Sequence, residues 1–187
     1  PAWFMTLEER NEKWPYGDYI LQHYGTPTRE LYDEYVGFAN TAWICSQFDQ
    51  SIRTGKEIYA FTIKEFGDAG YQPAYAARSV GNAYFNAGRD READLWFSLA
   101  LEHILKRPED SCLELGLCYQ KTGRSAYQNG EFDKAKEYLD LSMEYFTAAI
   151  QRQEPGANAM YYNDTYVQTA RMYIAMGDYR TDIEYAQ

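Results

Sequence analysis

The residues most suited to chemistry in this chain are two histidines and three cysteines. His23 lies in an irregular N-terminal stretch, and His103 lies toward the end of a predicted helix. Cys112 and Cys118 are six residues apart, on different faces of a helix, which suits neither a disulfide nor a metal pair. His103 and Cys112 would make a nucleophile pair only if the fold brought them together.

Sequence motifs for catalysis are missing as well. The chain has no G-x-S-x-G elbow, no glycine-rich phosphate loop and no H-E-x-x-H motif. Acidic pairs such as Glu131 and Asp133 flank a predicted turn, where solvation explains them. We therefore predict no catalytic residues, no metal site and no cofactor, and a non-enzymatic role.

Composition and charge narrow the class of partner. Hydrophobic residues make up 45% of the chain and aromatic residues 17%, which predicts a folded domain with a large core. The net charge of −10 disfavours nucleic acid and anionic membranes, because both attract Lys and Arg. No apolar run is long enough to insert into a membrane, and we expect no signal peptide in the given sequence. Three cysteines without a C-x-x-C pair are expected to be buried free thiols, which favours a reducing compartment, the cytoplasm.

The two ends of the chain suggest a piece of something longer. The sequence opens at Pro1 without an initiator methionine and closes at Gln187 inside a predicted helix that has no C-cap residue. A targeting signal or an anchor in the missing part would change the expected compartment. Within the chain, we expect residues 1–27 to form a helical and irregular cap, since Pro15 and Gly17 interrupt its helices.

The rest of the chain is organised by a repeat. Ser46, Gly88, Gly130 and Gly177 each mark a turn between two predicted helices, and they are separated by 42, 42 and 47 residues. Five positions after each of the first three turns stands a small residue (Ser51, Ala93 and Ala135), and Asp182 stands there in the last unit. Small residues at that point let two helices cross closely. The pattern predicts stacked helical hairpins.

These residues resemble the tetratricopeptide repeat (TPR) family. The unit around Gly88 carries the signature most completely, with Ala77, Val80, Gly81, Tyr84, Ala93, Phe97 and Ala100. Because the family's minimal period is about 34 residues, the longer spacing resembles the long-helix branch seen in kinesin light chains and peptide-sensing regulators. The extra length is expected at residues 106–111 and 154–158, where prolines break the helices. The resemblance implies an all-α, right-handed solenoid of about three to four hairpins over residues 28–187.

The resemblance also implies a binding surface, because the first helix of each hairpin lines the concave face in this family. The residues expected to bind a peptide or protein segment there are Asn40, Trp43, Tyr75, Arg78, Asn82, Phe85, Gln120, Arg124, Tyr127 and Arg171. Amide and guanidinium groups beside aromatic rings suit a partner that carries acidic groups or a C-terminal carboxylate. Alternatively, Arg124 and Arg171 are surface charges that pair with local Asp and Glu.

The sequence is compatible with three functions. We expect an interaction scaffold or adaptor that is part of a larger assembly. The alternatives are a peptide-sensing domain that controls an effector outside this chain, and an accessory domain of an enzyme. Because Ile174, Ile183 and Tyr185 leave an apolar C-terminal edge, we expect further chain, a neighbouring subunit of a homo- or hetero-oligomer, or a partner to cover it.

Overall fold

The computed structural model describes residues 48–176 of the 187-residue chain, which form six α-helices. Their bounds are α1 Phe48–Phe66, α2 Tyr71–Asn86, α3 Asp90–Leu105, α4 Cys112–Gln128, α5 Phe132–Gln151 and α6 Ala159–Met176. No strand occurs in this part of the chain, and the predicted all-α class is confirmed. The cap predicted for residues 1–27, and the turns predicted at Ser46 and Gly177, lie outside the described residues.

The helices form two layers. Each helix packs against the next one along the chain, and in addition α2 contacts α4 and α4 contacts α6. We call α2, α4 and α6 the inner layer, and α1, α3 and α5 the outer layer. The pairs α2–α3 and α4–α5 are complete hairpins. Hairpins stacked in this way form a helical-repeat solenoid, as predicted.

The turn inside each complete hairpin is built on a glycine. Gly88 and Gly130 have φ angles of +70° and +78°, a region that side chains with a Cβ rarely adopt. Their backbone N–H groups donate to the carbonyl oxygens of Phe85 and Tyr127, both at 3.0 Å. The following outer helix begins two residues after each glycine. The predicted repeating turns at these two positions are therefore confirmed.

The small residues after the turns are packed in the core. Ala93 and Ala135 are fully buried, and Ser51 of α1 is buried as well. Ala93 belongs to a cluster with Val80, Tyr84 and Phe97, and Ala135 belongs to one with Ala126, Leu139 and Met172. These clusters join an inner helix to the outer helix of its own hairpin, and the Ala135 cluster also includes α6. Close crossing at a small residue is what the sequence predicted.

The two longer connections lie where the sequence placed the extra length, and they meet. Residues 106–111 join α3 to α4, and residues 152–158 join α5 to α6. The Glu154 carboxylate accepts hydrogen bonds from the backbone N–H groups of Cys112 and Leu113, each at 2.9 Å, and from the Ser111 hydroxyl at 3.0 Å. The second connection thereby caps the first turn of α4, where helix N–H groups otherwise have no partner.

We expect Gly81→Ala to destabilise the fold, although alanine is the better helix former. A Cβ at position 81 would lie 2.6 Å from two carbon atoms of the buried Phe97 ring. Overpacking of this kind costs about 1–3 kcal/mol, which exceeds the gain in helix propensity of about 1 kcal/mol. Urea unfolding of the variant measures the difference.

Phe97→Leu supplies the control for Gly81→Ala. A smaller side chain at position 97 makes room for the new methyl group, so the double variant should lose less stability than the two single variants together. An increase in stability for Gly81→Ala alone would contradict the close approach of α2 and α3.

Candidate functional site

The structure places eight of the ten predicted binding residues, and all eight lie on the inner layer. On α2 they are Tyr75, Arg78, Asn82 and Phe85; on α4, Gln120, Arg124 and Tyr127; and on α6, Arg171. Asn40 and Trp43 lie outside the described residues.

Arg78 is buried and unavailable to a partner. Its guanidinium group forms a bidentate ion pair with Glu114 of α4, with Nε–Oε1 and Nη2–Oε2 distances of 2.6 and 2.9 Å. Glu114 is only 2% exposed. Burial alone would lower the pKa of Arg78, but the charge and hydrogen bonds of Glu114 raise it above its ordinary value. Arg78 therefore joins α2 to α4, which corrects its predicted role in binding.

Gln120 is buried in the equivalent position one hairpin later. Its side-chain Nε2 donates to the Thr165 hydroxyl of α6 at 2.8 Å, and the residue is 1% exposed. Thr165 also lies 3.4 Å from the Ser142 hydroxyl of α5, which donates to the Gly116 carbonyl oxygen at 2.9 Å. Gln120 is therefore removed from the predicted binding set, because the next inner helix packs over its position just as α4 packs over Arg78.

Arg124 and Phe85 form the most definite contact of the remaining set. The Arg124 guanidinium carbon lies 4.2 Å from the centre of the Phe85 ring, so the cation of α4 stacks over the ring of α2. Both side chains are half-buried. The contact brings a guanidinium group and an aromatic ring of the predicted binding set together on the inner layer.

The other residues of the predicted binding set lie apart from the Phe85–Arg124 contact. Tyr75 stacks on Tyr71 with ring centres 5.6 Å apart, and Tyr127 lies against Phe132 at 6.3 Å. Asn82 is half-buried, and Arg171 is exposed on α6. These residues extend the inner-layer surface on either side of the Phe85–Arg124 contact.

Lys121 is a site residue that the sequence reasoning missed. It is half-buried on α4, beside Arg124, Arg78 and Asp164. Burial first, and then repulsion from Arg78 and Arg124, lower its pKa to about 8, while Asp164 acts in the opposite direction. Its position next to Gln120 on the inner helix could have indicated a site residue. The charges that surround it, however, come from other helices as well as its own, and the sequence does not show that they lie close together.

Lys121 and Arg124 border a notch between α2, α3 and α4. The notch is lined by Phe85, Asp94, Phe97, Lys121, Arg124, Ser125 and Gln128, and its free volume is about 10 Å³. That volume holds about one water molecule, so the notch is too small for an organic ligand. The surface around it suits contact with the side chains of another protein rather than enclosure of a small molecule.

The candidate nucleophile pair, His103 and Cys112, makes structural contacts within the fold. His103 is buried, its Nδ1–H donates to the Asp68 carbonyl oxygen at 2.7 Å, and its Nε2 accepts from the Tyr59 hydroxyl at 2.8 Å. Cys112 is buried near Glu154, and burial followed by that charge raises the pKa of its thiol. A raised pKa opposes formation of the reactive thiolate. Both ring nitrogens of His103 thus hold α3 to α1 and to the α1–α2 connection.

The described helices offer neither a cluster of metal ligands nor a membrane-spanning segment. Residues 48–176 contain no group of three or more His, Cys, Asp or Glu side chains arranged to hold a metal ion. Among the same residues, no helix is both long and apolar enough to cross a membrane.

Solved structures with the same arrangement of helices identify the fold. The chain is similar to BtubC from P. vanneervenii, with a TM-score of 0.67 and 14% identity over 83% of this chain and 60% of that one. It is also similar to a kinesin-light-chain-type protein of Podosopora anserina with nearly identical TPR-like repeats, with a TM-score of 0.64 and 16% identity over 91% and 78% of the two chains. The fold is TPR-like.

Curated relatives of this TPR-like chain match over a shorter stretch. Photosystem I assembly protein Ycf3 from a strain of Prochlorococcus marinus is 38% identical over 80 residues, and the protein of the same name from a strain of Synechococcus is 34% identical over 80 residues. The matched stretch is 42% of this chain and 44% of each relative, so the chain spans less than half the length of these relatives. No protein-family model matches the chain.

Proposed function

We propose that this chain is a non-enzymatic interaction scaffold of a larger assembly, and that it binds an acidic protein segment on the inner layer around Lys121 and Arg124. The observation that carries the proposal is that, among the described residues, Lys121 and Arg124 form no ion pair, although Asp94 lines the same notch and Asp164 acts on Lys121. Within residues 48–176, neither Lys121 nor Arg124 lies within ion-pair distance of a carboxylate.

The lack of a local ion pair favours binding over the alternative left open by the sequence. In the described helices neither Arg124 nor Arg171 pairs with an Asp or Glu. On a protein with a net charge of −10, this leaves the inner layer locally cationic. An incoming carboxylate is attracted to such a surface and repelled by most of the rest of the molecule.

The burial of Lys121 adds a reason for an anionic partner. The Lys121 ammonium group is half-buried and repelled by the charges of Arg78 and Arg124, so burial first and then this repulsion lower its pKa. A carboxylate that docks beside it would relieve the repulsion and favour the protonated amine. The Phe85 ring under Arg124 supplies an apolar surface for the neighbouring part of the segment.

The similarity to Photosystem I assembly protein Ycf3 supports the role in assembly. We extend to this chain only the assembly role, and not the photosystem, because the match covers less than half of each relative. The TPR-like fold is consistent with that role, since stacked hairpins present a long surface to a partner. For the compartment we keep the cytoplasm as our proposal.

Charge reversal on the inner layer tests the proposal. We expect Lys121→Glu/Arg124→Glu to reduce the capture of partner proteins about tenfold or more, because like charges would then face the acidic segment. The measurement is quantitative mass spectrometry of proteins captured from the source organism's lysate at low ionic strength.

The matched control reverses two charges on the outer layer. Lys64→Glu/Arg91→Glu changes the net charge equally, on exposed positions of α1 and α3. Partners kept by this control and lost by the inner-layer variant would support the site. Equal retention by both folded variants would place binding on another surface and overturn the proposal.

A further inference from the structure

The exposed apolar side chains of the described residues are concentrated on α6. Of eight large hydrophobic side chains exposed in residues 48–176, four lie on this helix: Met160, Val167, Ile174 and Met176. Met160, Val167 and Ile174 are 66%, 49% and 52% exposed and stand seven residues apart. Seven residues are close to two helical turns, so the three side chains form one line along α6.

This line occupies a position that is covered in the earlier inner helices. Arg78, Gln120 and Val167 are separated by 42 and 47 residues, the same spacing as the turn glycines. Arg78 is covered by α4 and Gln120 by α6. Within the described part of the chain, no further helix lies over Val167. The α6 surface therefore continues an interface that the fold uses twice between its own helices.

Charged residues on either side of Val167 indicate which helix covers it. Asp164 precedes Val167 by three residues and Arg171 follows it by four, and neither forms an ion pair with any other described residue. Asp164 accepts a hydrogen bond from the Gln168 side chain at 2.9 Å and keeps its charge exposed. The line is thus acidic on one side of its centre and basic on the other.

A second α6 placed antiparallel across Val167 satisfies both charges. Asp164 of each copy then lies beside Arg171 of the other, and Met160 lies beside Ile174. A surface that pairs with itself about a twofold axis is the condition for a symmetric dimer. We propose that two copies of this chain associate through the α6 surface formed by Met160, Asp164, Val167, Arg171 and Ile174.

The expected dimer is weak. A helix of 18 residues is about 27 Å long, and a single pair of such helices forms an interface at the small end of the range for stable complexes. We therefore expect a dissociation constant on the order of micromolar. The dimer surface includes Arg171 of α6 but neither Lys121 nor Arg124 of α4, around which the acidic segment is proposed to bind, so either proposal can fail without the other.

The test uses two variants of the full chain that should each remain monomeric. In Asp164→Arg, two arginines face each other across the axis, and in Arg171→Asp, two aspartates do. We expect each variant to weaken self-association about tenfold or more. Mixed one to one, however, the two variants place every arginine beside an aspartate, so a heterodimer should form. Analytical ultracentrifugation of the separate and mixed samples measures this.

Leu95→Glu is the control for a charge added at an exposed apolar position, since Leu95 lies on α3 and is also well exposed. It should leave the dimer unchanged, whereas Val167→Glu should dissociate it. Circular dichroism verifies that each variant is folded. A wild-type chain that stays monomeric up to about 0.5 mM would overturn the proposal, since a micromolar dimer is then saturated. A mixture that fails to associate would overturn it as well.

Discussion

Arg78→Met is expected to lower the free energy of unfolding by about 3–5 kcal/mol. The substitution leaves the Glu114 carboxylate buried without the guanidinium group that now contacts both of its oxygens. An unpaired buried charge must either stay ionised in an apolar setting or take up a proton, and both cost free energy. Urea unfolding at neutral pH, followed by circular dichroism, measures the loss.

The double variant Arg78→Met/Glu114→Leu distinguishes the stability that the ion pair supplies from the cost of leaving one of its charges buried without a partner. With both charges replaced by apolar side chains, most of the lost stability should return, because no charge is left without a partner. The Cys118 thiol, which lies 3.7 Å from Glu114 Oε1, is only a weak donor and tolerates the loss of that acceptor. A double variant as unstable as Arg78→Met alone would contradict this expectation and would show that the ion pair itself stabilises the contact between α2 and α4.

Glu154→Gln is expected to cost about 2–3 kcal/mol, because one carboxylate accepts three hydrogen bonds at the start of α4. A neutral amide oxygen accepts more weakly, and its NH₂ group would face backbone donors. Burial alone would raise the pKa of Glu154, but the hydrogen bonds from Leu113, Cys112 and Ser111 hold it below its ordinary value.

The lowered pKa of Glu154 sets the sign of a pH dependence. The group stabilises the fold fully above the pKa of an unfolded glutamate, about 4.3, and this contribution is lost as the pH falls through the lower pKa of the folded state. The stability difference between wild type and Glu154→Gln should therefore shrink on acidification below about pH 4.3. Glu137→Gln, at an exposed position of α5, should change stability by less than about 0.5 kcal/mol. A difference that did not change between neutral and acidic pH would contradict the cap.

Much of the fold could be predicted because its determinants are local. The turn at Gly88 needs a residue that adopts a positive φ angle, and Ala93 marks a close crossing within the same hairpin. Both signals lie within a few residues of the element they define, and they recur along the chain. The all-α class and the repeating hairpins followed from them.

The candidate site was harder to predict, because it depends on contacts between helices far apart in the sequence. Arg78 and Gln120 lie on the predicted inner helices. Arg78 is buried against a partner 36 residues away, and Gln120 against one 45 residues away. A lone arginine or glutamine in a sequence suggests an exposed residue, since burial requires a matched partner that local pattern does not reveal. Lys121 was missed for the same reason. Its altered pKa comes from charges on neighbouring helices as well as its own.

Glu154 shows the same limit in a connection. In the sequence, Glu154-Pro155-Gly156 predicts only a break between helices. The role of the carboxylate as the cap of α4, 42 residues earlier, appears only when the two connections meet.

The contacts between successive inner helices differ in chemistry, and this difference bears on how the chain avoids misfolding. The contact between α2 and α4 is a charged pair, Arg78 with Glu114. At the equivalent position one hairpin later, the contact between α4 and α6 joins the neutral Gln120 amide to the Thr165 hydroxyl. The third position holds an apolar residue, Val167. Repeat proteins risk stacking a hairpin against the wrong neighbour, since their units are alike. Here a hairpin that skipped a place would bring Arg78 opposite the Thr165 hydroxyl instead of the Glu114 carboxylate with which it forms a bidentate pair. The correct order of the hairpins is therefore favoured, because a wrong order places side chains opposite each other that do not match.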